Sequence, residues 1–143
     1  MKSMKAISLT AVVLLLQACA TPVSQERMAS ADYGDAPSDA YQQIIKDRFA
    51  SILIDPTSPL YEIDKPRKGY TKKSPMFNTR EQFGWRVCGT VNSKNRYGGY
   101  AGRSPFFALF RGDTIVEFLS GVSNPDPTYV SITNKNIENA CNR

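Results

Sequence analysis

From residue 38 onward the apolar positions follow first a helical and then a strand period. Tyr41, Ile44, Ile45, Phe49, Ile52 and Leu53 recur three and four apart, while Lys46, Asp47 and Arg48 fill the other faces. This spacing predicts an amphipathic helix with Ser38 as cap and Asp39 in its first turn, ended by Asp55-Pro56. Leu60–Asp64, "LYEID", reads as a short strand before a basic segment. Trp85, Val87, Gly89 and Val91 then alternate with Arg86, Cys88, Thr90 and Asn92, which is strand spacing. The run "PFFALFRGDTIVEFL" (105–119) predicts a hairpin turning at Gly112-Asp113, with glycine free to take positive φ. Folded about that turn, Arg111 faces Thr114, Leu109 faces Val116 and Phe107 faces Phe118. Phe106, Phe110, Ile115 and Leu119 fall on the other side, so both faces of the hairpin need a cover. The first helix supplies one cover. A short C-terminal helix, Thr133 to Cys141, capped by Thr133 or Asn134, supplies part of the other. The expected class is α+β: a small antiparallel sheet of three to five strands between an N-terminal amphipathic helix and a C-terminal helical segment. There is no internal repeat, and residues 38–143 read as a single domain.

The amino end follows neither period. Lys2 and Lys5 precede an apolar run of ten residues, Ile7 to Leu16, well short of the roughly 20 that a spanning helix needs. It has the length of the apolar core of a secretory signal peptide. Leu16-Gln17-Ala18-Cys19 follows and resembles the lipobox of bacterial lipoproteins, with Gln17 departing mildly from the usual small residue. The resemblance implies cleavage after residue 18, lipid attachment to Cys19 and membrane anchoring. Ala20, standing where an Asp tends to retain lipoproteins in the inner membrane, favours the outer membrane and its periplasmic face. Each buried acyl methylene adds about 0.8 kcal/mol of membrane affinity, so several chains anchor durably. Residues 19–37, rich in Ala, Ser, Pro and Gly, read as a lipidated flexible tether spanning roughly 25 Å. With Lys2 and Lys5 removed, the net charge falls from +5 to +3, which gives no ground for nucleic-acid binding.

The three cysteines fit this address. Cys19 takes the lipid, leaving Cys88 and Cys141 to pair in an oxidising compartment. Such a bond closes a loop of about 54 residues, for which chain entropy gives about 4 kcal/mol. The alternative is two buried thiols that never meet.

One stretch concentrates glycine, tyrosine and basic residues: "VNSKNRYGGYAGRSPF", residues 91–106. Gly98, Gly99 and Gly102 lack the spacing of a dinucleotide loop, and Pro105-Phe106-Phe107 continues as strand rather than helix. Lys94, Arg96, Tyr97, Tyr100 and Arg103 have the residue types of a single-strand nucleic-acid surface, but the envelope is the wrong compartment for it. Two readings stay open. In one, Asn92 and Asn95 make side-chain turns in a strand connection; in the other, Asn92, Lys94, Asn95, Arg96, Tyr97 and Tyr100 form a partner surface. Val87 to Phe106 is similar to the segment C-G-x-V-N-x-K-N-x-x-G-G-Y-x-G-x-x-P-F of small, uncharacterised bacterial envelope proteins. Their upstream Asp-Pro-x-Ser turn is matched by Asp55-Pro56-Thr57-Ser58. The resemblance implies a location and a domain, and brings no activity with it.

Catalytic chemistry is thinly provided. The chain has no histidine, which removes histidine-activated nucleophiles and the usual zinc sites. Glu62, Asp64, Glu81, Asp113 and Glu117 are carboxylates without a spacing that marks an acid–base pair. Lys65, Arg67, Lys68, Lys72 and Lys73 surround Tyr70 in what reads as a solvated loop or hairpin tip, with charge contact to anionic lipid or an acidic cell-wall polymer as the alternative. The expected function is therefore a non-catalytic binding or structural component of an envelope assembly, of secretion or surface-appendage type, with no cofactor or metal. A small carboxylate-dependent cell-wall hydrolase and a periplasmic inhibitor are the alternatives.

Overall fold

The helical stripe and the strand alternations are realised in a computed structural model that describes residues 23–72 and 80–143. The signal segment 1–18, the lipid-attachment residue Cys19, the start of the tether and Lys73 lie outside the described residues. The elements run α1 (Gln25–Ser30), α2 (Tyr41–Ala50), β1 (Leu60–Ile63), β2 (Arg67–Thr71), β3 (Gln82–Lys94), β4 (Tyr100–Arg111), β5 (Thr114–Ser120) and α3 (Pro127–Cys141). The chain divides after Ala31, and Asp32–Arg143 forms one compact unit. In the preceding part, Ser24 caps α1 by accepting the Arg27 N–H at 3.2 Å, and no α1 residue is buried.

The class is α+β, with one five-stranded antiparallel sheet. β3 is its long central member. On one side β4 and then β5 follow as a meander; on the other, β1 and β2 lie end to end along β3. The edge breaks between them: Ile63 pairs with Gly89 and Arg67 with Arg86, four steps against three, so one residue is bulged out. Pro66, with no N–H to give, sits in that break, as proline does on sheet edges.

Each face of the sheet has its own helix. On one, Ile45 and Phe49 of α2, with Leu53 just beyond it, bury against Val87, Val91, Phe106, Ala108 and Phe110. The Phe49 ring packs edge-on to Phe106 and Phe118, both at 5.2 Å between centroids. On the other face, Ile137 of α3 closes over Phe107 and Leu109, flanked by Cys88, Val116, Leu119, Ala140 and Cys141. Cys88 and Cys141 form a disulfide with their Cα atoms 6.1 Å apart, fastening the end of α3 to β3.

Four sequence-based boundaries shift. α2 starts at Tyr41 rather than after Ser38, whose carbonyl and hydroxyl instead accept the N–H groups of Tyr41 (3.1 Å) and Ala40 (3.2 Å) in a preceding turn. α3 starts six residues before Thr133, because Asp126 caps it and Pro127 opens its first turn. In the β4–β5 hairpin Gly112 does take positive φ (57°) and Arg111 faces Thr114. A bulge between Leu109 and Phe110 then sets Leu109 opposite Glu117 and Phe107 opposite Leu119. That extra residue exchanges two side chains across the sheet: Phe118 packs with α2 and Leu119 with α3. Finally, part of the basic segment is strand, since Tyr70 and Thr71 bury on the sheet edge and carry Arg67 and Lys68 with them.

The compact unit also begins inside the stretch read as tether. Arg111 donates to the Asp32 carbonyl (2.9 Å) and carboxylate (2.6 Å), and Trp85 Nε1 to the Gly34 carbonyl (3.1 Å). Gly112 N–H bonds to Asp35 O at 2.8 Å, and Ser38 N–H to the Asp113 carboxylate at 2.7 Å. These partners lie up to 79 residues away, so local composition carries no trace of them.

Candidate functional site

The glycine- and tyrosine-rich stretch is the end of β3, the turn at 95–99 and the start of β4, and its construction separates the six candidate residues into two groups. Asn95 N–H donates to Gly99 O (2.8 Å) and Gly98 N–H to Asn95 O (3.0 Å), closing a tight loop. The Asn95 Oδ1 accepts the N–H groups of Tyr97 (2.9 Å) and Gly99 (3.2 Å), an Asx-type turn that fixes the loop from inside. Gly98 has φ of 81°, a conformation that a side chain resists. Below the loop the register slips: Asn92 faces Arg103 but Lys94 faces Tyr100, leaving one extra residue on β4. Gly102, at φ 99°, lies in that bulge and donates its N–H to Asn92 Oδ1 at 3.1 Å. Asn92 and Asn95 therefore build the tip.

Lys94, Arg96, Tyr97 and Tyr100 are what it displays. Tyr97 is 87% exposed and Tyr100 47%. Each is paired with a cation, Arg96 lying 6.0 Å from the Tyr97 ring centroid and Lys94 Nζ 5.5 Å from that of Tyr100. The Tyr100 hydroxyl donates to Ser58 O at 3.1 Å, tying the tip to the loop after α2. That loop is the Asp-Pro-x-Ser turn. Asp55 accepts the Thr57 hydroxyl (2.5 Å), the Thr57 N–H (2.9 Å) and the Ser58 hydroxyl (2.9 Å). These bonds, with a smaller contribution from Lys94, hold its carboxyl below the usual range. Ile54 and Leu60, 64% and 58% exposed, bracket the turn. The result, within Asp32–Arg143, is a patch where exposed apolar and aromatic side chains stand near Lys94 and Arg96.

The fold sets Asp113 and Glu117 apart and brings Glu62 and Asp64 to one groove. Asp113 is occupied by the Ser38 N–H, and Glu117 stands part-buried on the α3 face, where burial raises its pKa. Glu62 forms an ion pair with Arg103 at 2.9 Å. Glu62 and Asp64, joined by Glu138 of α3, line a groove of about 260 Å³ that runs beside Cys88, Thr90, Ile137 and Cys141. Glu138 carries no sequence signal, because its place depends on where α3 lands. Among the described residues no cluster of His, Cys, Asp and Glu has the grouping to hold a metal ion, and no helix is long and apolar enough to cross a membrane. Comparison with protein-family descriptions, with curated proteins and with solved structures returns no match.

Proposed function

We propose that this chain is a lipoprotein, anchored through Cys19 to the outer membrane and facing the periplasm, that works by binding another envelope protein. Its role on this reading is that of an accessory component in an assembly of secretion or surface-appendage type. The Leu16-Gln17-Ala18-Cys19 motif supports the address. The observation that supports binding is the hairpin tip, where Asn92 and Asn95 fix the backbone and Tyr97 stands almost fully in water beside Arg96. Tyrosine and arginine on a stiff support are the residues that dominate protein–protein contacts, each worth about 2 kcal/mol or more when central.

A photo-crosslinking residue in place of Tyr97, in cells carrying the intact chain, tests the surface. One protein should be captured, and Lys94→Glu with Arg96→Glu should abolish capture without lowering the melting temperature. Capture indifferent to that charge reversal removes the tip from the reading. Cys19→Ser should release the chain from membranes and stop incorporation of labelled palmitate; continued membrane retention removes the anchor.

The groove beside Glu62, Asp64 and Glu138 favours one second reading, hydrolysis of cell-wall glycan by a pair of carboxylates. Soluble fragments released from purified peptidoglycan, and lost in Glu62→Gln or Glu138→Gln, would put this reading first. A tight stoichiometric complex with an envelope enzyme would instead mark the chain as an inhibitor.

A further inference from the structure

The disulfide lies among charged side chains, and two concavities lead to it. Arg86 and Cys88 are two positions apart on β3, hence on one face and about 7 Å apart. The register sets Arg67 of β2 directly opposite Arg86, and like charges in opposed positions weaken a sheet. The stem of Arg86 lies across Gly69, where a Cβ would come within 2.6 Å of its Cδ. Its guanidinium donates to the backbone oxygens of Ala140 (2.8 Å), Cys141 and Arg143, so it is fixed at the last turn of α3. Lys65, Arg67 and Arg86, with Asp64 the sole carboxylate among them, line a cavity of about 70 Å³ whose remaining wall is Cys88 and Cys141. The carboxylate-lined groove reaches the same two cysteines from the other side. The disulfide is thus approached by two concavities and is only part-buried. A bond kept only to staple the fold needs no such access.

We propose that Cys88–Cys141 is a thiol–disulfide exchange site whose substrate is a dithiol, either a small molecule or the active pair of a reducing protein. One thiolate of the dithiol attacks a cysteine sulfur, the S–S bond breaks, and its electron pair leaves on the other cysteine as a thiolate. Lys65, Arg67 and Arg86 line the cavity on one side of the bond, and they lower the proton affinity of a thiolate leaving on that side, as cations do beside reactive cysteines. The second thiol of the dithiol, once deprotonated, attacks the mixed disulfide and expels the remaining cysteine thiolate. The dithiol ends as a disulfide, and Cys88 and Cys141 end as two thiols after taking up its two protons. The end of α3 then keeps only the Arg86 clamp on β3.

The test uses the full chain with Cys19→Ser, so that Cys88 and Cys141 are the only cysteines. Reduction by dithiothreitol at neutral pH is quenched with a thiol label at intervals, in buffer and in urea below the unfolding transition. Reduction should proceed from the folded state, first order in dithiothreitol and insensitive to urea. Lys65→Gln with Arg67→Gln, both exposed positions, should slow it about three- to tenfold, since a leaving thiol of higher pKa departs more slowly. In the reduced protein, thiolate absorbance should titrate below the usual cysteine range, and higher in the double variant. Reduction only at the rate of global unfolding, rising with urea and equal in the two proteins, would overturn the proposal.

Discussion

Asn95 turns its amide oxygen onto the N–H groups of Tyr97 and Gly99, whereas Tyr97 leaves its ring in water. Residue types alone do not separate such neighbours, because the distinction rests on hydrogen bonds such as that of Asn92 to Gly102, ten positions on. Ionisable residues divide in the same manner. Asp32 is held below the usual carboxylate range, first by the Gly34 N–H and then by Arg111, and Asp55 by Thr57 and Ser58. A lowered folded pKa stabilises the fold above the unfolded pKa, and the gain is lost as pH falls through the folded value. Glu117 has the opposite sign: burial raises its pKa, so the folded state binds this proton more tightly than the unfolded chain does. Its contribution therefore favours folding at low pH and is lost as pH rises through its folded pKa. Glu117→Gln should accordingly raise the melting temperature at neutral pH and lose that advantage below the ordinary glutamate range. The gain should stay under about 1 kcal/mol, since water screens a part-exposed carboxyl. Paired melts at acid and neutral pH check it.

At the scale of elements, long regular patterns are legible in the sequence and single-residue irregularities are not. The stripe of α2 names its buried members, Ile45, Phe49 and Leu53, by spacing alone. The β3 alternation places Val87 and Val91 on one face and Cys88 on the other. The Gly112 turn is a local signal and sits where expected. The bulge beyond it is not local. It exchanges Phe118 and Leu119 between faces so that Phe118 meets Phe49, an arrangement that only the packed core selects. β2 leaves little pattern because just Tyr70 and Thr71 are buried in a run that otherwise reads as charge. Apolar spacing from Thr133 onward starts α3 too late, whereas Asp126 followed by Pro127 is a local cap signature that marks the true start. The Asp126 side chain accepts the N–H groups of Thr128 (2.8 Å) and Tyr129 (3.4 Å). Asp126→Ala should cost about 1 kcal/mol, seen as a lower urea midpoint with unchanged slope.

Taken whole, Asp32–Arg143 is a sheet between two unlike covers. α2 holds its face chiefly by apolar contact, through a broad aromatic and aliphatic cluster, with Arg48 lying over the Phe118 ring at 5.5 Å. The buried cluster under α3 is smaller, Phe107, Leu109 and Ile137, and is supplemented by the disulfide and the Arg86 clamp. The pairing of Cys88 with Cys141 follows from counting cysteines, but the cavity around it requires the fold. Replacing both cysteines by serine should lower stability by about 4 kcal/mol, the chain-entropy value for a loop of this size. Thermal and urea unfolding of the oxidised and double-serine proteins should agree on that figure. Cys141 trails Cys88 by 53 positions. A polypeptide emerging amino end first, at roughly 5–20 residues per second, therefore leaves Cys88 without its mate for about 3–10 s. Through that interval the sheet can assemble around an open sulfhydryl, which a thiol from another chain is free to capture, so fidelity of pairing rests on timing as well as on geometry.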